Sequence, residues 1–262
     1  MRKVAILMKA RDPRIGLFLL SLVFCSTILP VGWSMERVDQ SLYKDLLAKY
    51  VKKGVVDYGG FRQEEEKLDQ YLKVLEKTET TRLTAKQQLA FYINAYNAWT
   101  IKLILSAYPG VASIWDLGSR IFKWKSPFRK EIVRIEGKTM SLDDLEHGII
   151  RPRFKDPRIH FAVNCASKSC PPLLSEPYRG SVLDRQLNQS VRAFLNDPER
   201  NRLEGETLYV SKIFKWFAED FNDDVVAFFL QYADEELKQR LRAGKDGLKV
   251  KYLDYDWGLN GT

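Results

Sequence analysis

The sequence predicts an α+β fold, predominantly helical with a small β-sheet, on three observations. Runs with apolar residues at 3.6-residue spacing dominate, and short β-branched or aromatic runs interrupt them at irregular intervals. No repeat, low-complexity linker or Pro/Ser-rich hinge divides residues 35–262. Irregular mixing of this kind packs helices against a small sheet. A stretch of roughly 230 residues buries one sizeable core, so a single globular domain over 35–262 is expected.

Taken in order, residues 39–53 place Leu42, Leu46, Leu47, Tyr50 and Val51 at helical spacing, with Gly54 as the stop. A second helix is predicted from Glu64 to Lys77 through Leu68, Tyr71, Leu72 and Leu75. The longest runs from Thr84, an N-cap with Gln87 three residues on, to Tyr108, where Pro109-Gly110 ends it. Beyond a basic aromatic loop, Phe122 to Phe128, the segment EIVRIEGKTM reads as a hairpin turning at Glu136-Gly137. Ser141 with Asp144 caps a helix that carries Glu146 and His147. Arg158 to Asn164 reads as a strand, and Ser181 with Asp184 caps a helix through Leu195. Helices over Val225–Tyr232 and Glu235–Arg242 and a strand over Leu248–Leu253 complete the chain.

Ahead of the domain, Arg2, Lys3, Lys9, Arg11 and Arg14 precede an uncharged stretch from Ile15 to Met35, the order of regions in a secretory signal. That stretch is near the lower limit for crossing a bilayer, whose core takes about 20 apolar residues. Pro30, Gly32 and Ser34 supply a helix breaker and small residues for cleavage after Ser34. Residues 1–34 are therefore expected to be a signal peptide or an N-terminal anchor. The domain is expected in an extracytoplasmic compartment, periplasmic or secreted, with membrane contact only through residues 15–35 if they stay attached. Five of the 42 basic and one of the 34 acidic residues lie in that leader, so the remainder carries about +4 rather than +8. Its basic residues are interleaved with acids, which argues against a nucleic-acid partner. No Gly-rich phosphate loop or dinucleotide fingerprint is present, and the His and Cys spacing matches no standard zinc pattern, so neither cofactor nor metal is expected.

Both cysteines of the domain, and one of its two histidines, fall in HFAVNCASKSCPPL, His160 to Leu173. A thiolate nucleophile needs a base, and the base needs an orienting group. Cys165 is the better candidate: Ala166 and Ser167 can open a helical turn whose N–H groups lower the thiol pKa and hold an oxyanion, whereas Cys170 runs into Pro171-Pro172. In an extended chain His160 and Cys165 would face opposite sides and lie about 16 Å apart, so they pair only if the chain turns near Asn164. His147, on its capped helix, is the other base, with Glu146 or an Asn of the long helix (Asn94 or Asn97) as the orienting group. In an oxidising compartment the same two cysteines also suit a disulfide, which would silence both thiols.

The order FYINAYNAWTI (91–101), SLDDLEHGIIR (141–151), HFAVNCASKSCPPL and YDWGLN (255–260) resembles the domain-of-unknown-function family 547 over most of residues 40–260. Asn94, Asn97, Glu146, His147, His160, Cys165, Ser167, Cys170 and Pro171 match its motifs. The resemblance implies a domain and no activity.

Two functions compete. One is an exported cysteine-dependent hydrolase or acyl transferase on a peptide or cell-envelope substrate. Cys165 is its nucleophile, His147 or His160 its base, and Glu146 or Asn94 its orienting group, in a papain-like or transglutaminase-like setting where the cysteine opens a helix against a sheet and the histidine sits on a strand. The alternative is a non-catalytic envelope binding or assembly domain stapled by a Cys165–Cys170 disulfide. Thiol–disulfide exchange has less support, because C-x4-C lacks the tight spacing of C-x-x-C. The loop RIFKWKSPFRK offers stacking and charge for a polymer or an anionic surface.

Overall fold

A computed structural model describes residues 37–118, 126–244 and 247–262. The expectations for residues 1–34 and for most of the basic aromatic loop lie outside them. Ser34–Thr262 forms one compact unit, and its fold class is α+β, predominantly helical.

Three helices open the described chain: α1 (Ser41–Tyr50), α2 (Tyr58–Gln63) and α3 (Glu65–Lys77), with a two-residue ribbon of β1 (Val51–Lys52) and β2 (Val55–Val56) after α1. The long helix α4 (Ala85–Leu105) begins as its sequence predicts. The Thr84 hydroxyl accepts the Gln87 N–H while the Gln87 side chain accepts the Thr84 N–H. Almost every residue of α4 is buried, so it serves as the axis of a hydrophobic cluster and not as a surface helix. The predicted hairpin is present as β3 (Val133–Ile135) and β4 (Lys138–Met140), with Glu136 and Gly137 both at positive φ in the turn.

Ser141 and Asp144 bond each other as a cap should, the Asp144 N–H to the Ser141 hydroxyl at 3.0 Å and the Ser141 N–H to the Asp144 carboxylate at 3.0 Å. The helix they open is π-helical, Asp144–Ile150, and runs directly into α5 (Arg151–Phe154). Such a segment closes each hydrogen bond over one residue more than an α-helix does and recurs at functional sites.

The strand predicted over Arg158–Asn164 is not formed. Pro157–Phe161 is a 3₁₀ turn instead, because Asp156 accepts the Arg158 N–H at 3.0 Å, grips the Arg158 guanidinium at 2.7 Å and leaves Pro157 at the first helical position. Local capping outweighs the β propensity of Ile159 and Val163.

The chain continues through α6 (Leu183–Leu195), β5 (Arg202–Glu204), β6 (Thr207–Val210), α7 (Ile213–Trp216), α8 (Val225–Tyr232), α9 (Glu235–Ala243) and β7 (Lys249–Tyr252). Strand β6 is central, antiparallel to β5 and parallel to β7. A second cluster, rich in Phe194, Phe214, Phe221, Phe228 and Phe229, packs α6 and α8 near this sheet. The 3₁₀ turn lies on the seam: Ile159 and Ala162 belong to the α4 cluster and Phe161 to the other. His160 is thereby carried between two cores. Among the described residues no helix is long and apolar enough to cross a membrane.

Candidate functional site

The cysteine loop, Asn164 to Pro172, is held by side-chain amides and by the C-terminal tail. From α4, Asn97 donates to the Ala162 carbonyl at 2.9 Å and accepts the Asn164 N–H at 2.8 Å. Asn164 in turn accepts the Ala166 N–H at 2.9 Å and donates to the Pro171 carbonyl at 2.8 Å, closing the loop on itself. The tail straps the outside: Lys168 N–H bonds the Gly258 carbonyl, Ser169 N–H the Asp256 carbonyl, and the Asn260 amide the Asn164 side chain. Every polar group spent here would cost ~1–3 kcal/mol if left buried and unpaired, which makes the loop rigid.

This lacing sets Cys165 on the wall of a pocket of about 160 Å³, which it shares with Tyr96, Glu146, His147, His160, Cys170 and a mouth of Trp216, Phe217, Tyr255 and Trp257. The turn between His160 and Cys165 that pairing requires is thus present. Cys165 does not open a helix, however, and His160 does not sit on a strand. The Cys165 N–H is taken by Cys170 Sγ at 2.8 Å and the Ala166 N–H by Asn164, with Ala166 at φ +62°, so no helical turn forms there and these two N–H groups are spent, although the Ser167 N–H still helps to lower the thiol.

The thiol is activated by other means. Cys165 Sγ lies 2.7 Å from Cys170 Sγ, 3.1 Å from Ser167 Oγ and 3.3 Å from Tyr255 Oη. Burial pushes the Cys165 thiol up, but these three partners outweigh burial and bring it down to about 7. Burial pushes Cys170 up as well, and there the neighbouring Cys165 adds to it, so that thiol ends well above the ordinary value. Both are free thiols in this structure; the disulfide considered from the sequence is not closed.

His160 is buried, with its ring stacked 4.0 Å from that of Phe217. Its Nε2 lies 2.6 Å from Asp220 Oδ2, while its Nδ1 has no hydrogen-bond partner and lies 4.0 Å from Glu146 Oε1. The His160 hydrogen bond, with Arg151 Nε 2.7 Å from the same oxygen, holds the Asp220 carboxyl well below the usual range. Burial lowers His160 itself. The network therefore assigns a neutral imidazole that donates from Nε2 to Asp220 and keeps a lone pair on Nδ1. Glu146, buried and hydrogen-bonded by Tyr96, is raised by burial to about 7. It lines the same pocket as His160 and Cys165, and the Cys165 charge also raises it.

His147 is half-exposed, with Nδ1 3.0 Å from Arg151 Nη1 and Nε2 3.6 Å from Asp143, and burial lowers it. The Arg151 guanidinium occupies its acceptor nitrogen. Among the described residues no hydrogen bond joins either imidazole to either sulfur. Asn94 does not belong to the site: its amide donates to the Tyr178 carbonyl at 2.8 Å and accepts the Tyr178 N–H at 2.9 Å, and it does not line the pocket. Three residues of spacing on α4 put Asn94 over one loop and Asn97 over another. No group of three or more His, Cys, Asp or Glu side chains among the described residues could hold a metal ion.

Residues 80–195 match the family described as protein of unknown function, DUF547. Over those residues the chain is similar to that family. The match is shorter than the 40–260 span over which the motifs resemble the family, yet it includes α4, the π-helix, His160 and both thiols. No curated protein and no solved structure matches the chain. Beyond the matched DUF547 residues lie Asp220, Trp216, Tyr255 and Trp257, which complete the pocket and its acid–base network. Of these, only Tyr255 and Trp257 had a sequence signal, the YDWGLN motif. Asp220, in the segment AEDF, carries none, and neither Arg151 nor Tyr96 was distinguishable from an ordinary helix residue.

Proposed function

We propose that this domain is a thiol-dependent acyl-transfer enzyme, a hydrolase or transferase acting on an amide or ester of a peptide or envelope-derived substrate. Cys165 is the nucleophile, and His160, oriented by Asp220, shares proton transfer with Glu146. One observation carries the reading: a single open pocket holds a thiol drawn down to about 7 together with a buried imidazole whose far nitrogen is fixed by Asp220 and whose near nitrogen is unpartnered.

In the reaction, the Cys165 thiolate attacks the acyl carbon, a C–S bond forms and the carbonyl electrons move to oxygen, with the Tyr255 O–H as the neighbouring donor. Collapse expels the amine or alcohol, which takes a proton from the Glu146–His160 pair. Water or an acceptor then attacks the thioester and returns a proton to that pair, regenerating the thiolate. The basic and then apolar leader supports an extracytoplasmic location for this chemistry.

The test is trapping of an acyl-enzyme from a panel of p-nitrophenyl esters and peptide thioesters, located by peptide mapping. An adduct on Cys165 that fails to appear in Cys165→Ala is expected; ester cleavage by Cys165→Ala at the wild-type rate overturns the reading. A second reading, a binding domain stapled by Cys165–Cys170, is favoured by the sulfur contact alone, and protein in which both thiols stay blocked until reduction would support it.

A further inference from the structure

The two thiols differ in the way that the partners of a redox pair differ. Their sulfurs are 2.7 Å apart, against about 2.05 Å for a covalent disulfide, so closure needs a shift of well under 1 Å. Both sulfurs line the pocket, but Cys165 is only partly buried while Cys170 is 4% exposed. Outside reagents therefore meet Cys165 first. The backbone is held in place for either state: the Cys165 N–H already points at Cys170 Sγ, the Cys170 N–H closes a turn on the Ser167 carbonyl, and the tail fixes Lys168 and Ser169 between them. Among the described residues no lysine or arginine lines the pocket, whose charged lining there is Asp143 and Glu146, so an uncharged reagent enters better than an anionic one.

We propose that Cys165 and Cys170 form a reversible dithiol–disulfide couple that reduces uncharged low-molecular-weight disulfides, and that the closed form withholds the Cys165 nucleophile. This stands on the sulfur pair and does not depend on acyl transfer.

The Cys165 thiolate attacks one sulfur of the reagent RSSR, whose S–S bond breaks to release RS⁻, leaving a mixed disulfide on Cys165. Cys170 then loses its proton to the first released RS⁻ and attacks Cys165 Sγ, expelling the second RS⁻, which takes a proton from solvent. Two electrons pass from the protein dithiol to the reagent, giving the Cys165–Cys170 disulfide and two RSH. A dithiol reductant reverses the sequence. The asymmetry between a thiol lowered to about 7 and one raised well above the ordinary range sets the order of attack, since the thiolate fraction controls the first step.

The experiment treats the full chain with 2-hydroxyethyl disulfide and maps tryptic peptides. Cleavage after Lys168 puts Cys165 on peptide 159–168 and Cys170 on peptide 169–179, so a closed bridge appears as the two peptides joined, independent of Cys25. The wild type is expected to yield joined peptides, preceded in time by a hydroxyethylthio adduct on Cys165 alone, and dithiothreitol is expected to restore both thiols. Cys170→Ser should stop at the adduct, and Cys165→Ser should leave Cys170 unmodified. A wild-type adduct on Cys165 that persists unjoined overturns the proposal, as does first reaction at Cys170. So does an absence of reaction in protein whose Cys165 is alkylated by iodoacetamide. The wild-type time course decides the matter even if a variant fails to fold, and each of these failures leaves an acyl-enzyme on Cys165, if one is trapped, untouched.

Discussion

Asn97 and Asn94 stand less than one turn apart on α4, are both buried, and bond in the same way, each donating to one backbone carbonyl and accepting one backbone N–H. Asn97 does this to Ala162 and Asn164 and so fixes the loop that carries the thiols. Asn94 does it to Tyr178 and fixes a segment with no part in the pocket. The same residue with the same pair of backbone bonds, Asn94 adding only a 3.2 Å bond to the Gln40 side chain, is a positioning group in one place and scaffold in the other. The difference lies wholly in which loop the helix rotation brings beneath each amide, a tertiary fact that neither composition nor spacing contains.

The sharpest way to break this comparison is through the groups that the Asn97 loop serves. His160→Ala or Asp220→Asn should lower the rate of acyl-enzyme formation by about 10²–10⁴-fold, while Asn94→Ala should leave it within a few-fold per folded molecule. Stopped-flow measurement of the ester burst checks this; equal losses in all three would dissolve the distinction. Stability should not separate the two amides: Asn97→Ala and Asn94→Ala each strand a buried backbone pair and should cost about 2–4 kcal/mol in urea unfolding. Only Asn97→Ala should also slow iodoacetamide labelling of Cys165.

A smaller effect concerns Glu146. Its folded pKa, about 7, lies above the ordinary carboxyl value, so its contribution to stability is complete below pH 4.5 and is lost as pH rises through 7. Between pH 5 and pH 8 the wild type should therefore lose about 2 kcal/mol more than Glu146→Gln, read as the difference in urea midpoints at the two pH values. Least of all, Tyr255→Phe removes one of three partners of the Cys165 sulfur and should raise the alkylation midpoint by about half a unit to one unit.

Much of this was legible in the chain. The Thr84–Gln87 cap, the Glu136-Gly137 turn and the Ser141–Asp144 pair are local interactions written in adjacent residues, and each formed as its sequence implies. Glu146, His147, His160, Cys165 and Cys170 were recognisable as a chemical set, and they share one pocket. The failures have a common cause. The strand over Arg158–Asn164 lost to an Asp156-Pro157 cap that fixes a 3₁₀ turn, and the helical turn at Cys165 lost to side chains that had already claimed its N–H groups. Asp220 was invisible because its role rests on two contacts, with His160 and Arg151, that span 60 and 69 residues of sequence.

Both proposed chemistries need a Cys165 thiol activated by Cys170, Ser167 and Tyr255 and open to the pocket. The most direct measurement is the rate of iodoacetamide labelling of Cys165 against pH, followed by peptide mapping in the full chain. The predicted result is a midpoint near 7 with Cys170 unlabelled over the same range. A midpoint at the ordinary thiol value, or labelling of Cys170 ahead of Cys165, would contradict it.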